Sequence, residues 1–158
     1  MSVNLLDDVW KPGAERDGYS SRERAVAEEL GAALWGATLY ELAPGERICP
    51  YHWHVGEEEW LLVVAGTPTL RVPDGERVLR PWDVAVFPRG PEGAHEVRND
   101  GDSVSRVLLL SSLSDPEIAV YPDSGKIGAS GGWSRSDDVR VRLRNRPEAN
   151  LDYYDGEA

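Results

Sequence analysis

An all-β domain, folded as an antiparallel sandwich or barrel, is what this sequence predicts, and three observations carry the prediction. Short apolar or alternating runs recur, with turn residues about every 8–12 positions between them: ALWGATLYEL, RICPYHWH, EEEWLLVVAG, TLRV, RVLR, DVAVFP, HEVRN and VSRVLLLSS. The turns have a mechanism, clearest at Pro73-Asp74-Gly75, where Pro presets one dihedral and Gly supplies a positive φ. Helical patterning is confined to one short stretch near the N-terminus.

Taken in order, residues 1–20 mix Pro, Gly and charge without a period and read as an arm. Ser20 is placed to cap a short helix over RERAVAEEL, with Glu23 three residues on as a capping box requires, and Gly31 stops it. The strands follow, from about residue 32 to 112, as the core of one domain spanning 1–158, with 1–30 as the N-terminal arm. Residues 113–158 are looser, with Pro116, Pro122 and a GASGG stretch; one more strand is expected around VRVRL, within otherwise wrapping segments. Asp123-Ser124-Gly125-Lys126 lacks the upstream glycine of a phosphate-binding loop and reads as a structural turn.

Composition narrows the function classes. A formal charge of −11 argues against nucleic acid as a partner, since phosphate backbones need a cationic face. With 15 arginines against two lysines, Arg is the expected side chain for any anion contact. No stretch approaches the roughly 20 apolar residues of a membrane helix. The single cysteine, Cys49, and the lack of an N-terminal apolar run lead us to expect a cytoplasmic setting. Trp60–Ala65 (WLLVVA) is apolar on both faces, so a homodimer is expected to cover its outer face unless the N-terminal arm does so.

All three histidines fall in one constellation: His52 and His54 in CPYHWHVGEEEW, and His95 in FPRGPEGAHEVRN. In a strand, residues i and i+2 share a face about 6–7 Å apart, so the two imidazoles can converge on one ion. On a helix they would diverge, and Pro50 disfavours a helix there. Imidazole with carboxylate suits first-row divalent metals. Among the following glutamates, Glu57 and Glu59 share a face and Glu58 opposes it. The same parity places Cys49, Tyr51 and Trp53 opposite the histidines, with Cys49 outside the site and Trp53 and Trp60 as packing residues.

With these residues in hand, the chain resembles the cupin superfamily, whose small barrels carry two motifs. The first is matched by Gly45, six residues, His52-Trp53-His54, four residues, Glu59, six residues, Gly66. The second is matched by Trp82, five residues, Pro88-Arg89-Gly90, four residues, His95, three residues, Asn99. The chain departs from the pattern by one extra residue before His52, two before His95, and Trp82 at a turn glycine. Either that turn needs no positive φ or Trp82 is strained there. The resemblance implies a double-stranded β-helix, or jelly roll, and selects Glu59 among the three glutamates. It thus implies a site of His52, His54, Glu59 and His95 for Fe, Mn, Zn or Ni as a divalent ion. Segments beyond the motifs, among them VYPDSGK and the terminal DYYDGE, look like compact bacterial cupins, some labelled sugar-phosphate-isomerase-like.

The implied function is a metal-dependent enzyme of isomerase or dioxygenase type, acting on a small polar metabolite; the alternative is a non-catalytic small-molecule binder or sensor. Tyr40, Arg71 and Arg89 are candidate pocket residues, with core packing or solvated charge as the plainer account of each.

Overall fold

The computed structural model of the chain describes residues 2–131 and 141–156. Thirteen strands and one helix occupy them: β1 (Lys11–Arg16), β2 (Tyr19–Arg24), α1 (Val26–Leu30), β3 (Trp35–Leu42), β4 (Trp53–His54), β5 (Glu59–Ala65), β6 (Thr69–Val72) and β7 (Gly75–Val78). Then come β8 (Val84–Phe87), β9 (Glu96–Arg98), β10 (Ser105–Ser112), β11 (Glu117–Tyr121), β12 (Lys126–Gly131) and β13 (Val141–Asn145). All pairings are antiparallel. They form a six-stranded sheet β1-β2-β3-β10-β5-β8, a four-stranded sheet β13-β12-β11-β4 and a three-stranded sheet β7-β6-β9. This is an all-β jelly roll, with its ladders divided among three sheets. Among the described residues, no helix is long and apolar enough to cross a membrane.

Strand β5 shows how alternation builds the core. Leu61 and Val63 are 0% exposed and pack with Leu70, Leu79, Phe87, Val97 and Val107 between the sheets. Leu62 and Val64, one residue out of phase, pack on the other face against Val26, Leu39 and Leu108, with Val3, Leu5 and Trp10 around them. Each fully buried Leu or Val contributes roughly 1.5–3 kcal/mol, so both faces matter to stability. The chain's own N-terminal segment therefore covers most of the outer face. Trp60, Val84 and Val86 remain exposed on that face, toward edge strand β8.

The N-terminal segment is where local reading fails. Arg22, Glu23 and Arg24 do not start a helix; they lie in β2, paired with Glu41, Tyr40 and Leu39 of β3. Ser20 caps nothing: its N–H donates to Glu46 Oε2 at 2.7 Å. The helix is reduced to Val26–Leu30, preceded by Ala25 without a side-chain cap, and Gly31 ends it at φ 69° as expected. The ladder with β3 overrides weak local helix propensity. Buried Glu41 adds to that pull, accepting from both Arg22 and Arg106 (Nε, 2.7 Å), whose guanidinium groups lie over the Trp10 ring. At the C-terminal end the expected strand is present as β13, although Val139 and Arg140 lie outside the described residues.

Asn99 is fully buried and its amide is satisfied on every side. It donates to Leu42 and Ser103 carbonyls (3.0 and 2.8 Å) and accepts from Ser105 Oγ and the Gly101 N–H. Its part in the second motif is thus to pin β3 to the turn before β10. The DSGK segment is a turn, with Asp123 held by a bidentate pair to Arg71 (2.6 and 2.9 Å).

Trp82 has a φ of 74°, so the turn after β7 does require the left-handed region. The backbone holds it there: Trp82 N–H donates to Val63 O (2.8 Å), and Asp83 N–H to Arg80 O (3.0 Å). Its side chain is 75% exposed, so packing compensates little. A non-glycine residue in this region costs roughly 1–2 kcal/mol. Trp82→Gly should therefore raise stability by about 1 kcal/mol, read as a higher urea midpoint with an unchanged slope; a lower midpoint would mean that the indole packs usefully.

Candidate metal centre

The structure brings His52, His54 and Glu59 together between the sheets, with ligand atoms within 4.8 Å of one another, and sets His95 beside Glu59. His54 is on β4, Glu59 opens β5, and His52 and His95 face each other across an isolated antiparallel bridge (His52 N–H to His95 O 3.1 Å, His95 N–H to His52 O 2.8 Å). The Nε2 atoms of His52 and His54 are 2.9 Å apart. Glu59 Oε2 lies 3.3 Å from His54 Nε2 and 3.1 Å from His95 Nε2.

The other nitrogen of each ring explains this geometry. His52 Nδ1 is 2.9 Å from Pro50 O, and His95 Nδ1 is 3.0 Å from Gly93 O. A carbonyl can only accept, so both Nδ1 atoms carry the proton and, in the neutral rings, both Nε2 atoms carry lone pairs. His54 Nδ1 faces Glu117 Oε1 at 3.2 Å, a carboxylate–histidine arrangement of the kind that orients metal ligands. Three ligand-type nitrogens thus converge with one carboxylate oxygen.

Electrostatics follow from the enclosure. His95 is 1% exposed, and its Nε2 and Glu59 Oε2 are buried without a hydrogen-bond partner among the described residues. Each such atom costs roughly 1–3 kcal/mol. Burial, then the neighbouring His95 and His54, pushes the His52 pKa down to about 4. Burial acts to lower the His54 pKa as well, but Glu59, Glu57 and Glu117 outweigh it and hold it above the usual imidazole value. Burial acts to raise the Glu59 carboxyl, yet His54 and His95 outweigh it and keep it well below the usual carboxylate range. Buried imidazole nitrogens this close to a carboxylate, with two of these atoms unpartnered among the described residues, leave positive charge wanted among them. The orphaned atoms and the donor set therefore fit a divalent cation.

The surroundings fix the rings. Phe87 stacks on His95 with centroids 3.7 Å apart and planes 7° from parallel, and Tyr121 stacks on His52 at 5.8 Å. The longer loop before His95 is absorbed by a 3-10 turn at Pro91–Gly93. There Gly93 is required, because a Cβ would sit 1.8 Å from Pro88 O. That close approach puts the Gly93 carbonyl under His95.

Glu117 is the residue sequence reasoning missed. It stands 63 positions from His54 and no motif includes it. Its other contact is the Gly56 N–H (3.1 Å to Oε2). His54, Glu57 and Glu117 form a second group with ligand atoms within 4.8 Å of one another. The Glu57 carboxyl is raised by burial, although it accepts from the Ser114 N–H at 3.0 Å. Cys49 is the opposite correction: its Sγ lies 3.6 Å from His52 Nδ1, although parity placed it across the strand. Only Trp53 and His54 are strand, and the chain bends through Pro50, so alternation does not extend to Cys49. Its thiol pKa is pushed up by burial and by the Glu59 and Glu96 charges.

Of the other pocket candidates, Arg71 is committed to Asp123 and lies 3.9 Å over the Tyr51 ring. Tyr40 packs against the inner core, and Arg89 is exposed. A cavity of about 800 Å³ opens beside the centre, with His54, Glu57, Glu117 and Tyr121 on its wall.

Comparison with known proteins shows what this geometry is similar to. Residues 38–111 match the family described as Cupin domain. A sugar phosphate isomerase of a cupin superfamily from Silicibacter pomeroyi has a TM-score of 0.79 at 21% identity, over 98% of each chain. A protein provisionally named a sugar phosphate isomerase, from Acidithiobacillus ferrooxidans, has a TM-score of 0.68 at 26% identity, over 81% of this chain and 83% of its own. The polyketide cyclase RemF from Streptomyces resistomycificus has a TM-score of 0.59 at 23% identity, over 72% of this chain and 80% of its own. No curated protein matches in sequence. With the jelly roll and both motifs in place, the chain is similar to the Cupin domain over residues 38–111 and shares the fold of these proteins.

Proposed function

We propose that this chain is a cupin and works as a metal-dependent enzyme of isomerase or dioxygenase type that acts on a small polar metabolite. His52, His54, Glu59 and His95 would hold a divalent ion, Fe, Mn, Zn or Ni. One observation carries the reading: all three Nδ1 atoms face acceptors, which leaves the Nε2 atoms of His54 and His95 beside one buried carboxylate and that of His52 2.9 Å from His54 Nε2. Such an ion would supply Lewis acidity, or redox capacity, toward a substrate oxygen. The protein's own part is to hold three rings in the ligand tautomer, exclude water from His95 and Glu59, and leave His54 at a cavity wall. That cavity falls in the roughly 300–1,000 Å³ range of small-molecule sites. The sugar phosphate isomerase named above supports the isomerase arm by analogy of fold.

Elemental analysis of tag-free protein, then turnover assays with that metal and small hydroxylated carbonyl compounds, test the reading. Bound metal with turnover supports the enzyme. Bound metal with ligand binding but no turnover would establish a binder or sensor instead.

The ligand set has its own test. His52→Ala and His54→Ala should each remove most bound metal, and Glu59→Gln should weaken binding while the fold persists. Glu117→Gln should weaken it about 10–100-fold, as expected for a partner that orients a ligand. If His95→Ala held metal as tightly as the parent, the four-residue set would be wrong, and Glu57, grouped with His54 and Glu117, would become the next candidate.

Protons should compete at His54 before His52. Because the His54 pKa is raised, metal binding must displace a proton there, and affinity should fall as pH drops from above about 6.5. His52, near 4, contributes only at much lower pH. Affinity unchanged down to about pH 5 in a competitive chelator titration would exclude His54 as a ligand.

The protein is proposed to be cytoplasmic and a homodimer. The exposed Trp60, Val84 and Val86 at edge strand β8 support an interface between two copies. Sedimentation should show a dimer, and a monomer at high protein concentration would reject it.

A further inference from the structure

The face of the four-stranded sheet that carries His54 continues, strand by strand, to two arginines. In one row of the register, His54 on β4 lies opposite Ala119 on β11, Ala119 opposite Gly128 on β12, and Gly128 opposite Arg144 on β13. In the next row of that face, Glu117 lies opposite Ser130, and Ser130 opposite Arg142. Strands are spaced about 4.8 Å apart, so the row from His54 to Arg144 spans roughly 14 Å between Cα atoms. The positions between are Ala119, Gly128 and Ser130, whose small side chains leave the floor of the cavity low. The cavity of about 800 Å³ runs over both rows, from His54 and Glu117 at one end to Arg142 and Arg144 at the other.

The two ends differ in charge. Glu57 and Glu117 stand at the histidine end and Glu28 and Asp115 also line the cavity, whereas Arg142 and Arg144, two residues apart on one face, stand about 6–7 Å from each other at the far end. Among the described residues neither arginine has an ion-pair or hydrogen-bond partner, although the chain carries 28 acidic residues. By contrast Arg22, Arg24, Arg71, Arg98 and Arg106 are all paired with carboxylates. A pair of guanidinium forks at this spacing can grip one planar or tetrahedral oxyanion from two sides.

We infer that Arg142 and Arg144 form an anion subsite, which takes the phosphate or carboxylate end of a small hydroxylated molecule whose other end reaches His54. The inference rests on the metal-enzyme reading only for that second end. The small floor residues give the molecule its path, and the two arginines, without a carboxylate partner among the described residues, select for its charge. The overall charge of −11 makes such local selection necessary, since the global field repels anions.

Calorimetry separates the two ends. Inorganic phosphate is first titrated into protein stripped of metal by a chelator, which reads the arginines alone. Arg142→Gln/Arg144→Gln should weaken binding about tenfold or more, and Arg142→Lys/Arg144→Lys should retain part of it. With metal restored, a pentose 5-phosphate and a pentonic acid are compared with the neutral pentose. At least one anionic probe should bind about tenfold tighter than the neutral one in the parent, and the Gln pair should abolish that margin. The tighter of the two identifies the oxyanion. Phosphate affinity unchanged in the Gln pair, or equal binding of anionic and neutral probes to the parent, would overturn the subsite. Arginine dependence that persists while metal has no effect would instead overturn the metal reading and leave the subsite standing.

Discussion

The Nδ1 proton of each imidazole is the constraint on which the centre depends. Pro50 O and Gly93 O fix it on His52 and His95, and the Glu117 carboxylate does so on His54. With that proton committed, the neutral rings carry their lone pairs on Nε2, those of His54 and His95 beside Glu59 and that of His52 beside His54. The acceptors come from three separate segments, so the centre exists only when the sheets have closed on one another. Buried lone pairs and a carboxylate at this spacing repel unless positive charge lies among them. A divalent cation meets that need.

The packing around the centre serves the same end. Glu59 is the first residue of β5, whose next inward-facing residues, Leu61 and Val63, lie at the bottom of the core. Hydrophobic burial of several kcal/mol along one strand therefore fixes the carboxylate at its end. Phe87, directly opposite Glu59 in the register, stacks on His95 and carries that rigidity across to the third imidazole. The strain at Trp82, on the order of 1–2 kcal/mol, is small against this burial. Its backbone bonds to Val63 tie the turn to the same strand.

The cavity beside the centre belongs to a different part of the chain. Its wall is made by β11, β12 and β13 together with β3 and the segment around α1. The segment after residue 113 thus does more than wrap the barrel: Glu117 orients His54, and β12 and β13 extend the His54 face outward. The N-terminal segment adds β1 and β2 to the largest sheet and closes over Leu62 and Val64. The outer face of β5 is in this way largely protected within one chain.

By itself the sequence determined what depends on short range. Alternation along β5 assigned Leu61 and Val63 to one face and Leu62 and Val64 to the other, because side-chain direction in a strand has a period of two. The His-x-His spacing, Pro50 and the two motifs pointed to His52, His54, Glu59 and His95, of which the fold groups the first three and sets His95 beside Glu59. Tertiary structure decided everything that parity and propensity cannot carry across a bend or a long separation. It drew Arg22–Arg24 into a strand because ladder bonds to β3 outweigh a weak helix preference. It turned Cys49 toward His52, since strand parity stops at the bend through Pro50. Tertiary structure also selected Glu117, and set Arg142 and Arg144 on the His54 face, because a register running over four strands has no signature in local sequence.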